Sequence, residues 1–149
     1  LSRKRSDRLK RIAEHFGGDR DLASRRLGEL RVAMDQADER LQDLRNYLNA
    51  YHTEFEQVRR AGTSAATLQN YTAFLTQLQG ALEQQQKHVE NARAAFERQK
   101  DVWYQARNQV RAVEQAAERN VEAERRALDR SEQRQLDDLS LQRFLGGRR

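Results

Sequence analysis

Cysteine and proline are absent from this chain of 149 residues, and glycine occurs only seven times. Without cysteine there is no disulfide and no thiolate metal site. Without proline, and with so few glycines, the chain lacks the residues that make frequent turns, which excludes a β-rich fold. Apolar residues are scarce too. They make up 37% of the chain, against about 45–50% in an ordinary globular domain, so one compact core cannot be filled. No uncharged apolar run approaches the roughly 18 residues of a membrane span, and no signal-peptide hydrophobic region follows the basic N-terminus. The expectation is a soluble, cytoplasmic, long-helix protein with no direct membrane insertion.

Catalytic chemistry is missing as well. His15, His52 and His88 form no i, i+4 pair, and with no cysteine beside them they offer no metal site. No phosphate-binding G-x-x-x-x-G-K-[ST] loop is present. Glu114, Glu118, Glu122 and Glu124 read as the exposed face of a helix. Neither an enzyme nor a cofactor is expected.

Charge is abundant and unevenly placed. The chain carries a net +5. Residues 1–11 alone carry +5, from Arg3, Lys4, Arg5, Arg8, Lys10 and Arg11 against Asp7, and residues 125–149 carry +3, leaving a mildly acidic body of −3. Two basic ends point to one acidic partner that meets both. The bases mix with acids and lack an aromatic stacking platform, so nucleic acid is not the expected partner.

What the chain does have is a period. Leu9, Phe16, Ala23, Leu30, Ala37, Leu44, Tyr51 and Val58 recur every seven residues, interleaved with Ala13, Arg20, Leu27, Met34, Leu41, Leu48 and Phe55. Sustained heptads of this kind define a coiled-coil helix, with the first series at d and the second at a. The second half repeats the pattern, with Leu68, Leu75, Leu82, Val89, Phe96, Trp103, Val110 and Ala117 at a. Its d series is Tyr71, Leu78, Gln85, Ala92, Gln99, Ala106, Val113 and Asn120. The three polar d residues lower stability and can fix register.

Between the halves stands Ala61-Gly62-Thr63-Ser64, where Gly62 suits the left-handed position that ends a helix and Thr63 or Ser64 can cap the next. A connection this short makes the helices antiparallel. The predicted fold is all-α: one antiparallel two-helix coiled-coil hairpin over residues 1–149. Helix one covers about 7–60 with a kink invited at 17–19, the turn 61–64, and helix two about 65–144, unpaired beyond about 121. A turn at Gly62–Thr63 selects the register in which layered residue numbers sum to 126, so that Trp103 opposes Ala23, Val89 opposes Ala37 and Leu9 opposes Ala117. At 1.5 Å per residue the paired body is roughly 80 Å long. Residues 146–149 are expected to fray.

Five of the ten aromatic residues lie close to the turn: Tyr47, Tyr51, Phe55, Tyr71 and Phe74. Tyr51, Phe55 and Tyr71 fall on the seam, where core filling explains them. Tyr47 and Phe74 both fall at g, on the flank that antiparallel helices share, with Ala81 further along it. Exposed aromatics on a highly charged surface mark a protein contact.

Three stretches carry a resemblance: Leu41-Gln-Asp-Leu-Arg-Asn-Tyr-Leu-Asn-Ala-Tyr51, Ala61-Gly-Thr-Ser-Ala-Ala66 and Leu68-Gln-Asn-Tyr-Thr-Ala-Phe-Leu-Thr-Gln-Leu78. With them the chain resembles the FliJ family, the coiled-coil component of the bacterial flagellar type III export apparatus, over roughly residues 7–125. The resemblance implies a hairpin similar to the rotor stalk of F-type ATPases. It implies a non-enzymatic coupling protein at the cytoplasmic face of the inner membrane, at the flagellar base. The implied partners are the hexameric export ATPase, the cytoplasmic domain of the export-gate membrane protein, and export chaperones. The family's gate-binding surface carries over to Leu44, Tyr47, Tyr51, Phe74, Leu78 and Ala81. The ends expected to enter the ATPase ring carry Arg3, Lys4, Arg5, Arg8, Lys10, Arg11, Arg125, Arg126, Arg130 and Arg134. The stalk of a virulence type III injectisome and a generic coiled-coil adaptor are the alternatives; the turn and the aromatic stretch favour the flagellar form.

Overall fold

A computed structural model describes residues 2–147. Leu1, Arg148 and Arg149 lie outside the described residues; of the segment expected to fray, Gly146 ends α2 and the Gly147 N–H donates to the Arg143 carbonyl at 3.0 Å. Two helices account for the fold, α1 (Ser2–Ala61) and α2 (Ala65–Gly146), with no strand among the described residues. Their interruption is local chemistry. Gly62 takes a φ of 84°, the left-handed region that costs glycine nothing, and its N–H closes α1 by donating to the Arg59 carbonyl at 3.3 Å. Ser64 opens α2: its Oγ accepts from the Thr67 N–H at 3.2 Å, the geometry of an N-cap. Gly17 and Gly18 lie inside α1, which runs through them without interruption.

The chain divides into two compact units, Leu22–Trp103 and Leu1–Asp21 with Tyr104–Arg149. In Leu22–Trp103 the two helices run antiparallel around the turn. Its fully buried residues are Ala23, Ala37, Leu41, Leu78 and Val89, all on the a and d lines. Ala37, Leu41 and Val89 form a cluster against which Leu82 and Ala92 pack. The remaining a and d residues are half-buried, because one helix shields only one side of another. Val89 beside Ala37 and Phe55 beside Tyr71 are layers of the register that the turn selects. Small opposes large where Ala37 meets Val89, as dense packing prefers, whereas Phe55 and Tyr71 pair ring to ring. Gln85 and Gln99 donate across the seam to the carbonyls of Ala37 and Ala23.

In the other unit, Ala106 and Val110 are buried, and Leu9, Ala13, Phe16, Val113 and Ala117 are half-buried. Arg20, the one charged residue in the α1 seam, is half-buried and turns its guanidinium to Asp21 at 3.3 Å. This keeps the aliphatic stem on the seam and the charge at its edge. The pairing ends in polar contacts. Asn120 Nδ2 donates to Ser6 Oγ at 3.1 Å, and Ser6 Oγ donates to Glu124 Oε1 at 3.3 Å. From Arg125 to Gly146 every residue of α2 is exposed, including Leu128, Leu136, Leu139, Leu141, Phe144 and Leu145.

Candidate docking site

The aromatic residues near the turn form one connected stack. The rings of Tyr47 and Phe74 meet edge to face at 6.3 Å, and Phe74 in turn lies 4.7 Å from Tyr51. Tyr51 is 5.3 Å from Tyr71, and Tyr71 is 5.6 Å from Phe55. Heptad position decides which rings face out. Tyr47, at g, is 53% exposed and Phe74, also at g, is 38% exposed, whereas Tyr51, Phe55 and Tyr71 are half-buried on the seam.

Hydrogen bonds tether the inner rings. Tyr51 donates its hydroxyl to the Tyr71 carbonyl at 3.4 Å, and Tyr71 donates to Glu54 Oε1 at 3.2 Å. Burial, and behind it the Glu54 carboxylate, raises both phenols above their ordinary value. Both therefore remain protonated donors at neutral pH. The outer pair thus rests on rings that are packed and hydrogen-bonded, which reduces the ordering a partner must impose.

Of the six residues expected to form this surface, the structure brings Tyr47, Tyr51 and Phe74 into one contact group and leaves Ala81 exposed. Leu44 is half-buried, and Leu78, only 7% exposed, belongs to the seam. Phe55 and Tyr71 complete the stack. Their layer pairing in the heptad register is the signal that joins them to it. An open groove of about 480 Å³ lies on the same flank of this unit, lined by Ala33, Gln36, Arg40, Asp43 and His88 among others.

The basic residues sit on the other unit, all exposed: Arg3, Lys4, Arg5, Arg8, Lys10 and Arg11 on α1, and Arg125, Arg126, Arg130 and Arg134 on α2. Among the described residues only Arg126 of these ten has an ion-pair partner, Glu122 at 3.8 Å. The rest of this charge is available to something outside the chain. No cluster of three potential metal ligands occurs among the described residues, and His15 faces Asp19 at 3.6 Å. No helix among them is long and apolar enough to cross a membrane.

Residues 5–149 match the family model described as the flagellar FliJ protein. The chain belongs to the FliJ family. This is a non-enzymatic family of flagellar proteins. Among curated FliJ relatives, the flagellar FliJ protein of Escherichia coli (strain K12) is 27% identical over 132 residues, which covers 89% of this chain and 88% of the relative. That of Salmonella typhi is 26% identical with the same coverage. No solved structure gives a significant match. The FliJ match spans both the aromatic stack and the uncovered end of α2.

Proposed function

We propose that this FliJ-family chain is the coupling stalk of the flagellar type III export apparatus. In this reading it links the export ATPase ring to the cytoplasmic domain of the export gate and meets export chaperones, peripheral to the inner membrane at the flagellar base. The observation that carries the gate contact is the exposed, edge-to-face pair Tyr47 and Phe74 on a tethered aromatic base. Large rigid rings with little conformational freedom left to lose are the residues on which interfaces concentrate their energy. The basic ends support the ATPase contact. Charge there acts mainly on encounter rate and orientation, and ATPase binding weakens with salt as the screening length falls to about 10 Å at 0.1 M.

The test is Tyr47→Ala/Phe74→Ala. Both side chains are largely outside the seam, so helicity and the unfolding midpoint stay close to those of the parent. Affinity for the purified gate domain falls at least about tenfold, which is about 1.4 kcal/mol. Equal affinity in the double variant removes the gate contact from this surface.

A further inference from the structure

The polar residues of the α2 seam meet a specific feature of α1. Gln85 Nε2 donates to the Ala37 carbonyl at 3.0 Å, and Gln99 Nε2 donates to the Ala23 carbonyl at 3.2 Å. Both amides are half-buried and both acceptor residues are buried. The spacing from Gln85 to Gln99 equals that from Ala23 to Ala37, two heptads, so both bonds belong to a single alignment of the helices. Alanine occurs in the d series of α1 only at these two positions; the others hold Leu9, Phe16, Leu30, Leu44, Tyr51 and Val58. A helical carbonyl already bonded within its own helix keeps a second lone pair, and here that lone pair is used from across the seam.

The Gly62 turn starts the helices in this register, but a slip that re-forms the turn about half a heptad along either helix is opposed only weakly by the apolar layers alone. A slide of seven residues keeps every a and d residue on the seam. It carries both amides, however, from alanines to positions held by leucine or phenylalanine: Gln85 to Leu30 or Leu44, and Gln99 to Leu30 or Phe16. Leucine and phenylalanine carry the same backbone carbonyl, but their side chains fill the space through which an amide reaches the carbonyl of a small alanine, so both half-buried amides are held off their acceptors together. We infer that Gln85 and Gln99 are positioning residues that lock the register of Leu22–Trp103, and with it the meeting of Tyr47 and Phe74. One heptad of slip moves Phe74 along α1 by about 10 Å, which takes the aromatic edge apart. The inference concerns alignment and does not depend on what docks there.

Because the chain has no cysteine, spin labels on cysteines introduced at exposed Asp35 and Gln77 report one distance across this unit. Slip changes that distance by up to about 10 Å. The parent gives a single distance. In full-length Gln85→Leu/Gln99→Leu a second distance appears beside the first, while the thermal midpoint rises by about 2–4 °C because apolar side chains now fill the d positions. Gln85→Met/Gln99→Met, which keeps an unbranched side chain without the donor, gives the same second distance. The distance decides. A single parent distance in the folded double variants overturns the inference, and so does loss of folding in both, which would make the glutamines ordinary stabilisers.

Discussion

Leu22–Trp103 and the unit formed by Leu1–Asp21 with Tyr104–Arg149 are built from the same two helices and the same heptad code, yet they use it differently. The first closes its seam with five buried residues, two cross-seam amide bonds and an aromatic stack beside the turn. The second buries Ala106 and Val110, ends its pairing at Ser6, Asn120 and Glu124, and then leaves more than twenty residues of α2 without cover. Its exposed leucines and exposed basic residues contribute little to folding. A helix that is polar nearly all round gains most when another chain covers it. One region covers its apolar side chains within the chain, and the other leaves them exposed.

The largest effect that separates the regions is cavity formation. Leu41 is 8% exposed in the Ala37–Val89 cluster, so Leu41→Ala costs about 2–4 kcal/mol in denaturant unfolding. Leu139, 52% exposed, leaves no cavity, and Leu139→Ala stays within about 0.5 kcal/mol of the parent. Equal losses at the two sites would erase the distinction.

A smaller effect of opposite sign belongs to the second unit. A Cβ added at Gly18 meets nothing within 4 Å, and its backbone is helical. Gly18→Ala therefore stabilises α1 by about 0.5–1 kcal/mol, seen as a raised midpoint in thermal unfolding. A loss there would mean that the glycine pair serves a bend that the helix needs.

Much of the first unit was legible in the sequence because heptads report burial directly. The residues from Leu27 to Val58 and from Leu68 to Trp103 that repeat at a and d are the ones that face inward. Gly62 and Ser64 were legible because only certain residue types take a left-handed φ or cap a helix. The candidate site was half legible. Heptad position put Tyr47 and Phe74 on one edge, but treated Tyr51, Phe55 and Tyr71 as filling, whereas ring-to-ring contact joins all five. Leu78, placed on this surface by resemblance, is buried at 7% exposure, as its d position implies. Periodicity named the polar d residues but not their acceptors, because a backbone carbonyl leaves no trace in residue type. Nor could it foresee that Ser6 and Glu124 would close the seam, since both lie outside the apolar pattern.

The most direct test of the division of labour is a comparison of the full chain with one ending at Glu124. Both are followed by the fluorescence of Trp103, the single tryptophan, and by stimulation of the purified export ATPase. Every described residue that the truncation removes is exposed, so the Trp103 unfolding midpoint stays within about 2 °C, while stimulation is lost. A truncated chain that stimulates the ATPase as well as the full chain, or one whose midpoint drops by many degrees, contradicts the account.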